Sequence, residues 1–164
     1  KYVYSHFGYN LKATDMQAAV GCAQLEKFPG FVKRRRENFE RLYKGLEDVQ
    51  DRLILPEAAE NSRPSWFGFM ITCRNGDERS RVVPNIEEHG VQTRMLFSGN
   101  LTKHPCFDEM RHSGEGYRIA GDLTNTDLIM DNTFWIGTYP GMDEKRIDYM
   151  IKTIKEALNA NERN

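Results

Sequence analysis

The stretch from residue 66 to residue 97 constrains the fold more than any other. Trp66-Phe67-Gly68-Phe69-Met70-Ile71-Thr72-Cys73 is an apolar run of strand length, closed by the turn pair Asn75-Gly76. Ser80 is placed to cap a helix that takes Pro84 in its first turn and stops at His89-Gly90. Val91, Thr93, Met95 and Phe97 then alternate with Gln92, Arg94 and Leu96, which is strand periodicity. Strand, helix and strand in so short a span predict a split α/β unit.

The flanks extend that unit. Thr14 followed three residues later by Gln17 fits a capping box. Met16, Ala19, Val20 and Ala23 recur beyond it at helical spacing. Ala18, Ala19, Gly21, Cys22 and Ala23 leave little apolar volume to bury, so this helix is expected to let another backbone come close. Gln17, Gly21, Gln24 and Phe28 make a second, half-polar stripe of the sort found where two chains or domains meet. Phe28-Pro29-Gly30 reads as a break or kink. A second helix is expected to about Val49, with Val32, Arg35, Phe39, Leu42, Tyr43, Leu46 and Val49 on one face. Leu53 to Pro56 could form a short strand, and Glu57 to Pro64 a polar loop. Further helices are expected at Tyr117–Leu128 and Asp143–Asn159, with a short strand at Asn132–Gly137 between them. The pattern is a small sheet covered by helices and led by a helical hairpin.

Composition narrows the function. Lysine and arginine number 23 against 24 acidic residues, a net charge of −1 that offers no bulk attraction for nucleic acid. Lys33-Arg34-Arg35-Arg36 is followed by Glu37, Glu40, Glu47 and Asp48, which can pair with it at helical spacing, so it reads as a charged, solvated face. There is no apolar run long enough to span a bilayer and no signal-peptide pattern. Cys22, Cys73 and Cys106 are an odd number, far apart, without metal-ligand or disulfide spacing. Buried, reduced thiols are expected, and with them a cytoplasmic setting. His6, His89, His104 and His112 stand at no informative distance from a nucleophile, and no Walker or Rossmann loop is present. The residues themselves display no catalytic centre.

Gly8-Tyr9-Asn10-x-Lys-x-Thr-x-x-Gln-Ala-Ala, followed by Gln24-Leu25-Glu26, resembles the signature of the fold-type-I, vitamin-B6-dependent sugar aminotransferases of DegT/DnrJ/EryC1/StrS type. Thr93-Arg94-Met95-Leu96-Phe97-Ser98-Gly99-Asn100, with His104 to Phe107 behind it, resembles Thr-Arg-x-x-Phe-x-Gly-Asn of the dehydratase branch, the type of CDP-4-keto-6-deoxyglucose 3-dehydratase. The likeness runs over essentially the whole chain but would cover only the C-terminal part of such an enzyme, and a first residue of Lys1 rather than Met agrees with an excised piece. It implies the α/β (α+β) small C-terminal domain of that fold, with a mainly antiparallel sheet, at 51–164. Residues 1–50 would be interface and hinge helices linking it to a large domain.

The resemblance also implies a function: a nucleotide-sugar 3-dehydratase making 3,6-dideoxyhexoses for lipopolysaccharide O-antigen. Its cofactors would be pyridoxamine or pyridoxal phosphate and a two-iron two-sulfur cluster. Its partners would be a CDP-sugar substrate, a second copy in a homodimer and a flavin iron–sulfur reductase. The catalytic histidine that replaces the Schiff-base lysine, and the cluster cysteines, would lie upstream of Lys1, so the chain alone is expected to be inactive. Asn10 either caps a turn or donates to a phosphate, and the family gives it the cofactor phosphate. Arg94 is either a surface ion pair or a diphosphate ligand, and the family favours the ligand, with Phe97 and Asn100 beside the nucleotide-sugar. Phe67 is either core or, where aminotransferase cousins offer histidine, a dry wall against the sugar. Asn132 to Gly141 matches the family's closing motif, with packing as its only assigned role. A nucleotide-sugar 4-aminotransferase and a self-associating interaction domain are the competing readings.

Overall fold

The computed structural model describes His6, Gly8, Tyr9 and residues 11–160. Helix α1 spans Asp15–Leu46 and opens on the expected capping box: Thr14 Oγ1 accepts from the Gln17 N–H, and Gln17 Oε1 accepts from the Thr14 N–H. The expected hairpin is not formed, because α1 is one helix of 32 residues running through Phe28-Pro29-Gly30. Proline removes one backbone donor and crowds the carbonyl one turn back, but it leaves the turns on either side intact. Reversal would need several non-helical residues, and Gly30 alone does not supply them.

The two halves of α1 differ sharply. From Asp15 to Phe31 every residue is exposed, with Met16, Val20, Leu25 and Phe28 among them. Asn38, Leu42 and Leu46 are buried, and a short 3-10 turn at Glu47–Val49 ends the element.

Four strands follow: β1 at Leu53–Ile54, β2 at Gly68–Cys73, β3 at Thr93–Met95 and β4 at Thr133–Gly137. They form one sheet in the order β1-β2-β4-β3, with every neighbouring pair antiparallel. Helix α2 (Gly76–Glu88) joins β2 to β3, and β4 lies between those two strands. This is the split unit expected from residues 66–97. Helix α2 starts at Gly76 rather than after a Ser80 cap, so Pro84 sits in its interior, where burial of Val82 and Ile86 offsets the lost backbone bond.

Alternation in the strands decides the layers. Phe69, Ile71 and Cys73 of β2 share a face with Phe134 and Ile136 of β4, and all are buried. Leu42 and Leu46 of α1, Val82 and Ile86 of α2, and Ile147, Met150, Ile154 and Leu158 of the last helix complete that core. This last helix, α5 (Glu144–Asn159), is capped by Asp143, whose Oδ1 accepts from the Arg146 N–H at 2.9 Å. The remaining helices are α3 (Asp108–Ser113), which the sequence did not announce, and α4 (Thr124–Asn132), which begins seven residues later than expected. Gly114, Gly116 and Gly121, all at positive φ, hold the intervening segment out of helix.

Among the described residues no helix is long and apolar enough to cross a membrane. Cys22, Cys73 and Cys106 are all free, but only Cys73 is buried as expected; Cys22, on the bare half of α1, and Cys106 are exposed. The basic run of α1 is only partly a solvated face: Arg34 and Lys33 meet Glu37, while Arg36 donates to the carbonyls of Arg63 and Pro64 and ties down the loop before β2.

Candidate functional site

The second face of the sheet carries Met70, Thr72, Trp135 and Arg94, with Gly68 and Gly137 at one end, and none of these is fully buried. Thr133 at the other end is buried and shares a 2.8 Å hydroxyl contact with Thr72. Trp135 stands at the centre, opposite Met70 of β2 on one side and Arg94 of β3 on the other. Its indole lies across Gly68, where an added Cβ would come within 2.5 Å of Cε3. The Phe67 ring packs beside the indole with centroids 5.3 Å apart and planes tilted by 57°. The Arg35 guanidinium, from α1, sits 5.6 Å from the centroid of the Phe67 ring.

The ends of this row are fixed by buried polar groups. Thr138 Oγ1, fully buried, donates to the Trp66 carbonyl at 2.6 Å and so sets the entry to Phe67. Asn38 Nδ2 donates to the Tyr139 carbonyl at 2.9 Å and fixes α1 against the turn after β4. Arg94 is held by a neutral partner: the Gln92 amide oxygen, oriented by its hydrogen-bond partners, accepts from Nη1 at 3.1 Å and Nη2 at 3.0 Å. Among the described residues no carboxylate is paired with Arg94 or Arg35. Two guanidinium charges therefore flank two aromatic rings.

Phe67 is 68 % exposed, so it is not a core residue, and Trp135 joins it to Arg94. Phe97 and Asn100 lie beyond the opposite end of β3, and the five residues of β4 between the two ends span roughly 17 Å. Phe97 leaves the strand at φ 47°, a costly conformation for an aromatic residue, and is 85 % exposed. Its N–H donates to the Met95 carbonyl at 2.7 Å, and His104 Nε2 lies 2.6 Å from the Ser98 carbonyl, which can only accept, so that nitrogen carries the proton.

Asn100 is 3 % exposed and both ends of its amide are hydrogen-bonded. Its Oδ1 accepts from the Thr102 N–H and hydroxyl, while Nδ2 donates to Asp127 at 2.7 Å. Asp127 also meets Lys103 at 2.8 Å, and these two contacts, Asn100 first, hold its carboxyl below the usual range. Asn100 therefore shapes the turn that presents Phe97. Asn10 lies outside the described residues.

Sequence reasoning missed Arg35 and gave Trp135 only a packing role. The signal that existed was the alternation of Gly68, Met70 and Thr72 with the buried residues of β2. What it lacked was the register that sets Trp135 over Gly68. No group of three histidine, cysteine or acidic residues that could hold a metal is present among the described residues.

The sheet, its helices and the motifs of the chain can be set beside known proteins. Residues 1–155 match the DegT/DnrJ/EryC1/StrS aminotransferase family, and the chain belongs to it. It is 48 % identical over 163 residues to the lipopolysaccharide biosynthesis protein RfbH of Salmonella typhimurium, covering 98 % of this chain and 36 % of that protein. It is 47 % identical over 158 residues to the dTDP-4-dehydro-2,6-dideoxy-D-glucose 3-dehydratase of Saccharopolyspora spinosa, covering 95 % and 33 %. The chain thus spans about a third of the length of these curated relatives.

Solved structures agree. The Escherichia coli GDP-4-keto-6-deoxy-D-mannose-3-dehydratase with bound hydrated PLP superposes with a TM-score of 0.75 at 26 % identity, covering 94 % of this chain and 38 % of that one. A mutant GDP-4-keto-6-deoxymannose-3-dehydratase with bound GDP-perosamine gives 0.77 at 25 %, covering 93 % and 38 %.

Proposed function

We propose that this chain is the C-terminal part of a nucleotide-sugar 3-dehydratase that makes 3,6-dideoxyhexoses for lipopolysaccharide O-antigen. The observation that carries the reading is the 47 % identity to a 3-dehydratase acting on a deoxysugar nucleotide, set beside 25 % to the GDP-perosamine synthase of Escherichia coli. In such an enzyme pyridoxamine phosphate supplies the electron sink for loss of the sugar's 3-hydroxyl. The groups that would hold it and the cluster belong to the rest of the parent, together with the contact to a flavin iron–sulfur reductase.

What this chain contributes is a wall. Arg94 takes the diphosphate of a CDP-sugar, its guanidinium already aligned by Gln92 and not neutralised by a carboxylate among the described residues. Phe67, exposed where a histidine would supply a proton, keeps the reacting end of the pocket dry and aprotic. Phe97 borders the nucleotide from the far end, and Asn100 sets the turn beneath it. Asn10 contacts the cofactor phosphate of the neighbouring subunit in a homodimer. Residues 1–50 act as interface and hinge and 51–164 as the small domain, although the last turns of α1 share the core of that domain. The bare outer half of α1 supports this division, because its apolar residues have no cover in the described part of the chain.

The test is product analysis on the full-length parent supplied with pyridoxamine phosphate, a CDP-4-keto-6-deoxyhexose and an electron donor. A 3-deoxy product and no turnover by the chain alone are expected. A 4-amino sugar made from an amino donor would instead establish a nucleotide-sugar aminotransferase, the reading that the family's own description favours.

A further inference from the structure

We infer that Trp135 and Phe67 together form the floor on which the hexose of a nucleotide sugar rests, with Arg94 anchoring the diphosphate beside it and Arg35 steadying the Phe67 ring from behind. The inference rests on the nucleotide-sugar reading above and adds two residues, Trp135 and Arg35, and a mode of contact. Its basis is the row itself. Gly68 lacks the Cβ that would strike the indole, so Trp135 lies down along the sheet and is half-buried. Phe67, tilted by 57° against it, widens the apolar patch instead of stacking over it and hiding it. A pyranose presents an apolar C–H face to such a surface, and a deoxysugar more so, because each lost hydroxyl removes a group that would need a hydrogen-bond partner.

Charge supports the same occupant. Arg94 lies directly across the strand pair from Trp135, so a diphosphate bound there places an attached sugar over the indole. Neither Arg94 nor Arg35 has a carboxylate partner among the described residues, so an anion meets no competing acid. Arg35 packs against Phe67 through cation–π contact and holds no ion pair among the described residues, which makes it a positioning residue for that ring.

The experiment is an NMR titration of the 164-residue chain, following the indole N–H signals of its two tryptophans and the arginine side chains. The probes are CDP-glucose, GDP-mannose, CDP and inorganic pyrophosphate. At least one nucleotide-sugar is expected to bind in the millimolar range and to move both Trp135 and Arg94, whereas pyrophosphate moves Arg94 alone. Trp135→Leu and Phe67→Leu should each weaken nucleotide-sugar binding about fivefold and leave pyrophosphate unchanged. Arg94→Gln should weaken every probe about tenfold. Trp135→Phe keeps a ring and should bind within about twofold of the parent sequence, which separates lost stacking from lost folding.

The inference is overturned if neither nucleotide-sugar binds, if sugar-bearing probes leave the Trp135 indole where pyrophosphate leaves it, or if Trp135→Leu binds as tightly as the parent sequence. An amino-transferring parent would leave these shifts in place, since either reaction must hold the hexose. Absent shifts with a parent that still dehydrates would remove the stacking alone.

Discussion

Gly68 and Gly137 face each other across β2 and β4, yet a methyl group has opposite consequences at the two positions. At Gly68 the added carbon would lie 2.5 Å from Cε3 and 3.2 Å from Cδ2 of Trp135, and 3.2 Å from the Ile136 carbonyl oxygen. An indole cannot bend, so it must swing out of its rotamer or the strand must shift. Overpacking of that kind costs about 1–3 kcal/mol. Restricting the unfolded chain returns about 0.5–1 kcal/mol, leaving a net loss of about 0–2.5 kcal/mol for Gly68→Ala, about 1.3 kcal/mol at mid-range. For a chain of this size the mid-range loss is a fall in Tm of roughly 3–5 °C. At Gly137 the methyl group meets nothing within 4 Å. Gly137→Ala should therefore keep only the backbone gain and raise Tm by roughly 1–4 °C. Thermal unfolding followed by circular dichroism reads both, with tryptophan emission reporting on the indole. The Gly68→Ala penalty should also shrink in a Trp135→Ala background, where nothing rigid remains to be struck. Equal Tm values for the two alanine variants, with unchanged emission, would refute the claim that Gly68 exists to seat Trp135.

Three more outcomes follow from the same packing and charges. Leu46→Ala empties a fully buried site and should cost about 2–5 kcal/mol in denaturant unfolding, whereas Leu25→Ala, 70 % exposed on the bare half of α1, should change stability by less than about 0.5 kcal/mol. A thiol reagent at pH 8 should label Cys22 and Cys106 in the native chain and reach Cys73 only on unfolding, because burial, and then the nearby Glu78, push the Cys73 thiol up to about 12. The carboxyl of Asp127 is depressed by Asn100 and then Lys103, so its contribution to the Phe97 turn is present above the ordinary carboxylate pKa of about 4 and is lost as pH falls through the lower folded value. The protection of the Gly99 and Thr102 amides, measured against the intrinsic exchange rate at each pH, should hold steady from neutral pH down to about 4 and fall only below it, and Asp127→Asn should remove that acid step.

The strands at 68–73 and 133–137, the split unit and the apolar stripe of α5 were legible because each is written in local periodicity. An alternating strand has one way to bury its apolar set, and an amphipathic helix has one face to offer. The capping box at Thr14 was legible for the same reason, its partners being three residues apart. The hairpin was misread because proline and glycine report a local cost, and whether a helix ends there depends on what the flanking turns pack against. Leu42 and Leu46, buried under the sheet, anchor the far half of α1, and Pro29 interrupts no contact on which they depend.

The site divides along the same line. The residue types at Phe67, Arg94, Phe97 and Asn100 could be singled out in the chain, but Asn100 turned inward to Thr102 and Asp127, and Phe97 left the strand at positive φ for the end remote from Phe67. Register alone brought Trp135 between Phe67 and Arg94, and register is a property of two strands about sixty residues apart, fixed by burial of Phe69 against Ile136 and Ile71 against Phe134. Sequence by itself determined the strands β2 and β4, the split unit, the apolar stripe of α5 and the family, since periodicity and short motifs are local. Only the tertiary structure decided which side chains share the open face, because that depends on pairings no local pattern encodes.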